Sequence, residues 1–319
     1  MKLLLAALAA SLLAPRADTL AFSVTKGTKL TKTFEAAFEF VAREISITLD
    51  GQEMPPEVAK KFEASMSNRI ELVVEDEYGE IEAGRPTELV RSFQTVKSHV
   101  KAHSAEPGRK PADRDETLES PLAGRAVLFH WNAKEEEWER SFKGEPGDEK
   151  ALAPLKPDMD FLALLHPGAL EEGATWKIDP KFVGDLTKPG GELAFPQPKG
   201  SSMHLEFGKN PSGTIEATYA GTREVDGRKL GRITLEFHVQ TVQAADPDQP
   251  GSFALEGTLE LEGEYLWDLE HGRLASFEVH GPATLVASAE REVESKGRKI
   301  PMKLRFDFAG ELQAKGSID

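Results

Sequence analysis

The chain has 319 residues, 39% of them hydrophobic and 29% charged, a composition that folds rather than staying disordered. Its 54 acidic against 39 basic residues give a formal charge of −15, which excludes a general nucleic-acid binder and excludes docking on anionic lipid by charge alone. There is no cysteine, so stability is expected from core burial rather than disulfides, and no cysteine-borne lipid anchor is expected.

The chain opens "MKLLLAALAASLLAPRADT", with Lys2 ahead of an apolar run from Leu3 to Leu13. A bilayer span needs about 20 apolar residues, so this run is too short to cross and fits a secretory signal peptide. Cleavage is expected after Ala17, with Ala14 as the competing site. The expected organisation is therefore a signal peptide at 1–17 and one β-rich domain at 18–319, exported to the periplasm or beyond as a soluble protein. No transmembrane segment is predicted.

Strands come next. Leu30, Phe34, Ala36, Phe38 and Phe40 alternate with Lys and Glu, and then Ile45, Ile47 and Leu49 change phase. Side chains alternate faces along a strand, so the change predicts a bulge or bend. "PPEVAKKFEASM" reads as a short helix, with prolines at its start and Val58, Phe62 and Met66 at four-residue spacing. Ile70, Leu72 and Val74 lead into a turn at Tyr78–Gly79, and 87–100 forms a further strand. Residues 104–121, "SAEPGRKPADRDETLESP", are charged and non-periodic and read as an exposed loop. Val127, Phe129 and Trp131 face Trp138 and Phe142 across a turn at 132–135. A second irregular stretch covers 144–157, and both irregular stretches are candidate seams. "DMDFLALLHP" reads as a short helix capped by Asp158.

The C-terminal third is the most regular. Asp226–Gly227 predicts a tight hairpin whose arms carry Ile215, Ala217 and Tyr219, then Ile233, Leu235, Phe237 and Val239. From Phe253 to Trp267 the odd positions are apolar or glycine, and most of the even ones are acidic or Thr. After an acidic turn, Ala275, Phe277, Val279, Ala283, Leu285, Ala287 and Ala289 continue an apolar face. Leu304, Phe306, Phe308, Gly310 and Leu312 supply a third strand. These strands run to about 16 residues, roughly 50 Å at ~3.3 Å per residue. Sheets of that length coil, and their apolar face must be covered. The expected fold is mainly β, a large curved antiparallel meander sheet (half-barrel or sandwich-like) with two or three short helices.

Candidate chemistry is sparse. The histidines are His99, His103, His130, His166, His204, His238, His271 and His280; alternation puts His204, His238 and His280 on the polar face. No H-E-x-x-H spacing is present, so surface histidines are the expectation and no metal is assigned. Glu256, Glu260, Glu262 and Glu264 form a carboxylate stripe. A glycosidase needs paired carboxylates, and a stripe on an exposed strand is the usual device for solubility. No G-x-S-x-G elbow, P-loop or dinucleotide fingerprint occurs, and no catalytic residue or cofactor is assigned. A non-catalytic protein is the reading, although catalytic groups can converge in space without a motif.

Long meanders, the leader, sparse helices and the Gly173-x-x-Trp176 entry to a strand resemble secreted bacterial β-rich proteins. The pattern over 20–314 is similar to the half-barrel of periplasmic lipoprotein carriers of the LolA type. That resemblance implies a curved sheet that holds acyl chains. The function expected is an exported binder of an apolar ligand or an envelope partner. The alternatives are a structural envelope module with a filled core and a hydrolase without a sequence signature. The residues expected to face the ligand are Phe237, Leu259, Leu261, Phe277, Phe306 and Phe308.

Overall fold

The computed structural model describes residues 18–196, 209–245, 252–295 and 297–319. The signal-peptide reading at 1–17 and His204 lie outside these residues. In chain order, β1 (Asp18–Thr19) precedes the long β2 (Lys29–Leu49), the short β3 (Gln52–Glu53), helix α1 (Pro56–Ala59) and β4 (Glu63–Tyr78). A small hairpin, β5 (Ile81–Glu82) and β6 (Arg85–Pro86), leads to β7 (Glu88–Ala105), β8 (Ala112–Glu119), β9 (Ala126–Asn132) and β10 (Glu137–Lys143). A mostly irregular stretch follows, carrying β11 (Ala169–Leu170), β12 (Thr175–Ile178) and α2 (Phe182–Thr187). Five long strands close the chain: β13 (Pro211–Val225), β14 (Arg228–Gln243), β15 (Ala254–Asp268), β16 (Arg273–Ser295) and β17 (Arg298–Ile318).

Thirteen strands form one antiparallel sheet that does not close on itself, in the order β10-β9-β7-β4-β2-β17-β16-β15-β14-β13-β12, with β3 on β2 and β8 on β7. The first long strand therefore lies beside the last, with Lys32 opposite Ile318. The sheet forks at β7: its first residues pair with β9 and its last with β8. The phase change in β2 is a bulge against β17, where the register slips between Asp307 and Phe308. Asp226 and Gly227 both take left-handed φ, +50° and +75°, the conformation that a two-residue hairpin turn needs.

The face assignment from alternation holds along β15. Leu255, Leu259, Leu261, Tyr265 and Trp267 are buried, and Glu256, Glu260 and Glu262 are exposed. It fails at Ala275. A second bulge, between Leu266 and Trp267, puts Ala275 with Leu230 and Leu266 in a satellite cluster, and Leu274 takes the core position.

Apart from the edge strand β12, residues 148–196 fold back over the apolar face as an inner layer. Leu152, Leu155, Met159, Phe161, Leu164, Phe182, Val183, Leu186 and Leu193 are all buried there in the main core. Phe161 is the keystone. Its ring meets Phe277 at 5.0 Å, Phe182 at 5.5 Å and Phe34 at 5.8 Å between centroids, all edge-on.

Three local expectations are corrected. The helix read over 55–66 stops at Ala59, because Glu63–Tyr78 pairs with β2 and places Met66 opposite Phe40. The helix read from Asp158 and stopping before Pro167 shrinks to a 3-10 turn at Leu162–Leu164, because Phe161 takes a left-handed φ of +54° that no α-helix continues through. Asp158 still accepts hydrogen bonds from the backbone N–H groups of Asp160 and Leu162. The loop read over 104–121 contains β8, held by backbone pairing from Lys97↔Glu119 to Ser104↔Ala112.

Candidate functional site

Three inner-face positions in otherwise apolar stripes carry charge: Lys32 between Leu30 and Phe34, Asp76 between Val74 and Tyr78, and Arg91 between Leu89 and Phe93. All three are fully buried. Asp76 and Arg91 are direct cross-strand partners on β4 and β7. The Arg91 guanidinium grips Asp76 with two parallel bonds, Nε to Oδ1 at 2.7 Å and Nη2 to Oδ2 at 2.8 Å. Its remaining reach goes to the inner layer: Nη1 donates to Lys156 O and Nη2 to Pro157 O, both at 2.8 Å. Lys32 Nζ lies 3.0 Å from Asp76 and 2.8 Å from Asp160. Tyr78 donates to Asp160 Oδ2 at 2.7 Å, and Tyr265 donates to Asp160 O at 2.8 Å.

Two cations and two anions thus neutralise one another away from water, and the bonds tie the sheet to the inner layer. Burial works against an ionised Asp76, but the Coulombic pull of Arg91 and then of Lys32 wins and holds its carboxyl below the usual range. Burial first, and then the charge of Asp160, push the Tyr78 phenol well up, so it stays a proton donor. Lys32, Asp76 and Arg91 are fully buried, and Tyr78 and Asp160 nearly so. The arrangement is a clasp.

Among the described residues, the inner layer leaves part of the apolar face half-buried. Along β2, Phe34 and Phe40 are fully buried and Phe38 between them is only half-buried. Phe38 borders a cleft of about 380 Å³ between the inner face of β2, β4, β7 and β8 and residues 187–196. Its floor is Phe38, Met66, Ile70 and Val100, Leu118 of β8 forms one side, and Leu193 and Phe195 lie over it. Few polar groups converge there, which is the usual make-up of a small-molecule site. Ser98 donates to Asn68 Oδ1 at 2.7 Å within the lining. Arg114 sits at the β8 edge, its Nη2 on Glu116 at 2.6 Å and its buried Nε without a partner among the protein's atoms. An orphaned buried donor costs about 1–3 kcal/mol. The cations around the cleft are each paired with a carboxylate: Lys101 with Asp115 at 3.4 Å, Arg114 with Glu116 at 2.6 Å and Lys188 with Glu192 at 3.3 Å.

Phe237, Leu259, Leu261, Phe277, Phe306 and Phe308 all belong to the apolar face but do not border this cleft. Phe277 packs against Phe161, and Phe306 stacks on Phe308 with centroids 5.9 Å apart. The cleft residues carried weaker signals. Met66 reads as helical, Arg114 falls in a stretch without apolar alternation, and Phe195 follows an irregular segment. The clasp had a legible signal: a charge on the apolar side of an alternating run.

The histidines pair across strands with carboxylates on the outer face: His99 with Glu71 at 3.6 Å, His238 with Glu260, and His280 with Glu262 at 4.0 Å. His103 pairs with Asp113 at 2.6 Å, and that hydrogen bond raises its pKa. Among the described residues no group of three or more His, Asp or Glu could hold a metal ion.

No family model matches the chain, and no curated protein does. Solved structures that it resembles include an outer membrane channel from Pseudomonas putida F1, at 7% identity over 95% of this chain and 100% of that one, with a TM-score of 0.23. The outer membrane protein OprG from Pseudomonas aeruginosa is 9% identical over 94% and 99%, with a TM-score of 0.20. A Pseudomonas aeruginosa FadL homologue is 9% identical over 92% and 90%, also with a TM-score of 0.20. A lipoprotein-carrier relationship finds no support among them. A membrane barrel turns an apolar band outward. Here the outward face is charged, and Val41 and Val242 are the exposed large hydrophobics among the described residues. No described helix is long and apolar enough to cross a membrane.

Proposed function

We propose that this is an exported, non-catalytic protein that holds a small, largely apolar ligand in the cleft between the inner face of β2, β4, β7 and β8 and residues 187–196. The observation that carries this reading is the half-buried apolar lining, Phe38, Met66, Ile70 and Val100, on a sheet face buried elsewhere. Exposed apolar surface is unfavourable by about 25 cal/mol per Å², so a chain that covers it gains affinity. The leader-like residues 1–17 support export.

The test is titration of the full chain with N-phenyl-1-naphthylamine, an uncharged dye that brightens in apolar surroundings. Saturable binding, weakened at least tenfold by Phe195→Asp in a protein with an unchanged circular-dichroism spectrum, is the expected result. No saturable binding by folded protein would leave the second reading, a structural envelope module with a filled core. The clasp and the packed inner layer around Phe161 favour that alternative.

A further inference from the structure

We propose that the ligand is a single-chain amphiphile with an anionic oxygen head, and that Arg114 is the residue that reads the head. This rests on the apolar-cleft reading above and adds the chemistry of the other end of the ligand. Arg114 lies on the inner face of β8, beside the small Ala102 of β7, and both border the cleft. Its side chain is 19% exposed and its ion-pair partner among the described residues, Glu116, is 47% exposed. Glu116 occupies Nη2, while Nε is buried and unpartnered. A guanidinium presents its donors as a planar fork matched to a carboxylate or phosphate. A head that takes the Nε side completes the fork that Glu116 leaves half-used.

The other cations of the lining already have carboxylates, Lys101 with Asp115 at 3.4 Å and Lys188 with Glu192 at 3.3 Å, so Arg114 Nε is the donor that an anionic head would meet there. Size limits the tail: about 380 Å³ is near the lower end for small-molecule sites, suited to one chain rather than two. An inward charge on an edge strand can also serve to deter edge pairing. That role needs no desolvated, unpartnered nitrogen, and it is indifferent to the ligand's head.

Displacement of N-phenyl-1-naphthylamine from the full chain by dodecanoate, dodecyl phosphate and dodecanol separates these roles. Arg114→Gln is expected to weaken dodecanoate or dodecyl phosphate at least tenfold and to leave dodecanol and the dye within about twofold. The more affected of the two anions identifies the head as carboxylate or phosphate. Arg114→Lys should retain part of the selectivity. Equal effects of Arg114→Gln on dodecanol and on the anions, or no effect on any of them, would overturn the head assignment while the cleft reading stands. Wild-type protein that is folded yet binds neither dye nor any dodecyl compound would overturn both.

Discussion

Asp76 shows how a single side chain can hold two layers together. It compensates Arg91 directly and Lys32 on the diagonal, and Arg91 in turn binds the carbonyls of Lys156 and Pro157. Removing one partner of a buried ion pair strands the others, so Asp76→Asn is expected to cost about 3–5 kcal/mol in denaturant melts. The same group has a pH signature. Its folded pKa is depressed, so its contribution is complete above the unfolded value of about 3.9 and is lost as pH falls through the lower folded value. Wild-type stability should therefore drop below about pH 4 more steeply than that of Asp76→Asn. Parallel acid titrations of the two would show Asp76 to be a bystander. Leu261 and Glu260 test the face assignment: Leu261→Ala should cost about 2–5 kcal/mol and Glu260→Ala less than about 0.5. Equal losses would mean the face assignment is wrong.

Among elements, the decisive contacts are backbone approaches between long strands. A Cβ on Gly310 of β17 would stand 1.8 Å from the carbonyl oxygen of Glu39 in β2, and the obstacle is main chain rather than a movable side chain. Gly310→Ala is expected to destabilise by about 1–3 kcal/mol, as overpacking does, and thermal melts check it. An unchanged melting temperature would mean that β2 and β17 approach less closely than described. The short elements show the reverse dependence. In α1 one turn survives because pairing with β7 claims the chain from Glu63 onward and pairing with β2 from Ser65. In β8 alternation is illegible because backbone bonds to β7, rather than apolar side chains, hold the strand.

For the molecule as a whole, the central pairing joins β2 to β17, so the middle of the sheet cannot form until residues from both ends of the chain meet. Closing a loop that long is slow, and sheets dominated by distant pairings fold in milliseconds to seconds or slower. Stopped-flow refolding followed by tryptophan fluorescence should show its main phase on the scale of a second or longer. Trp267 is fully buried in β15 and reports burial of the core. A dominant sub-millisecond phase would mean that local hairpins carry most of the burial.

The sequence by itself determined the class of fold, the inward face of nearly every long strand, the hairpin turn at Asp226–Gly227 and the bulge in β2, because each is written in residues a few places apart. Period-2 alternation reports which side of a strand is dry; it carries no information about what dries it. The pairing of β2 with β17, the inner layer of 148–196, the clasp of Lys32, Asp76, Arg91 and Asp160, and the cleft beside Phe38 were decided by tertiary structure alone. Each joins residues far apart in the chain, and each is selected by shape and charge once the sheet has curled, which no local pattern records.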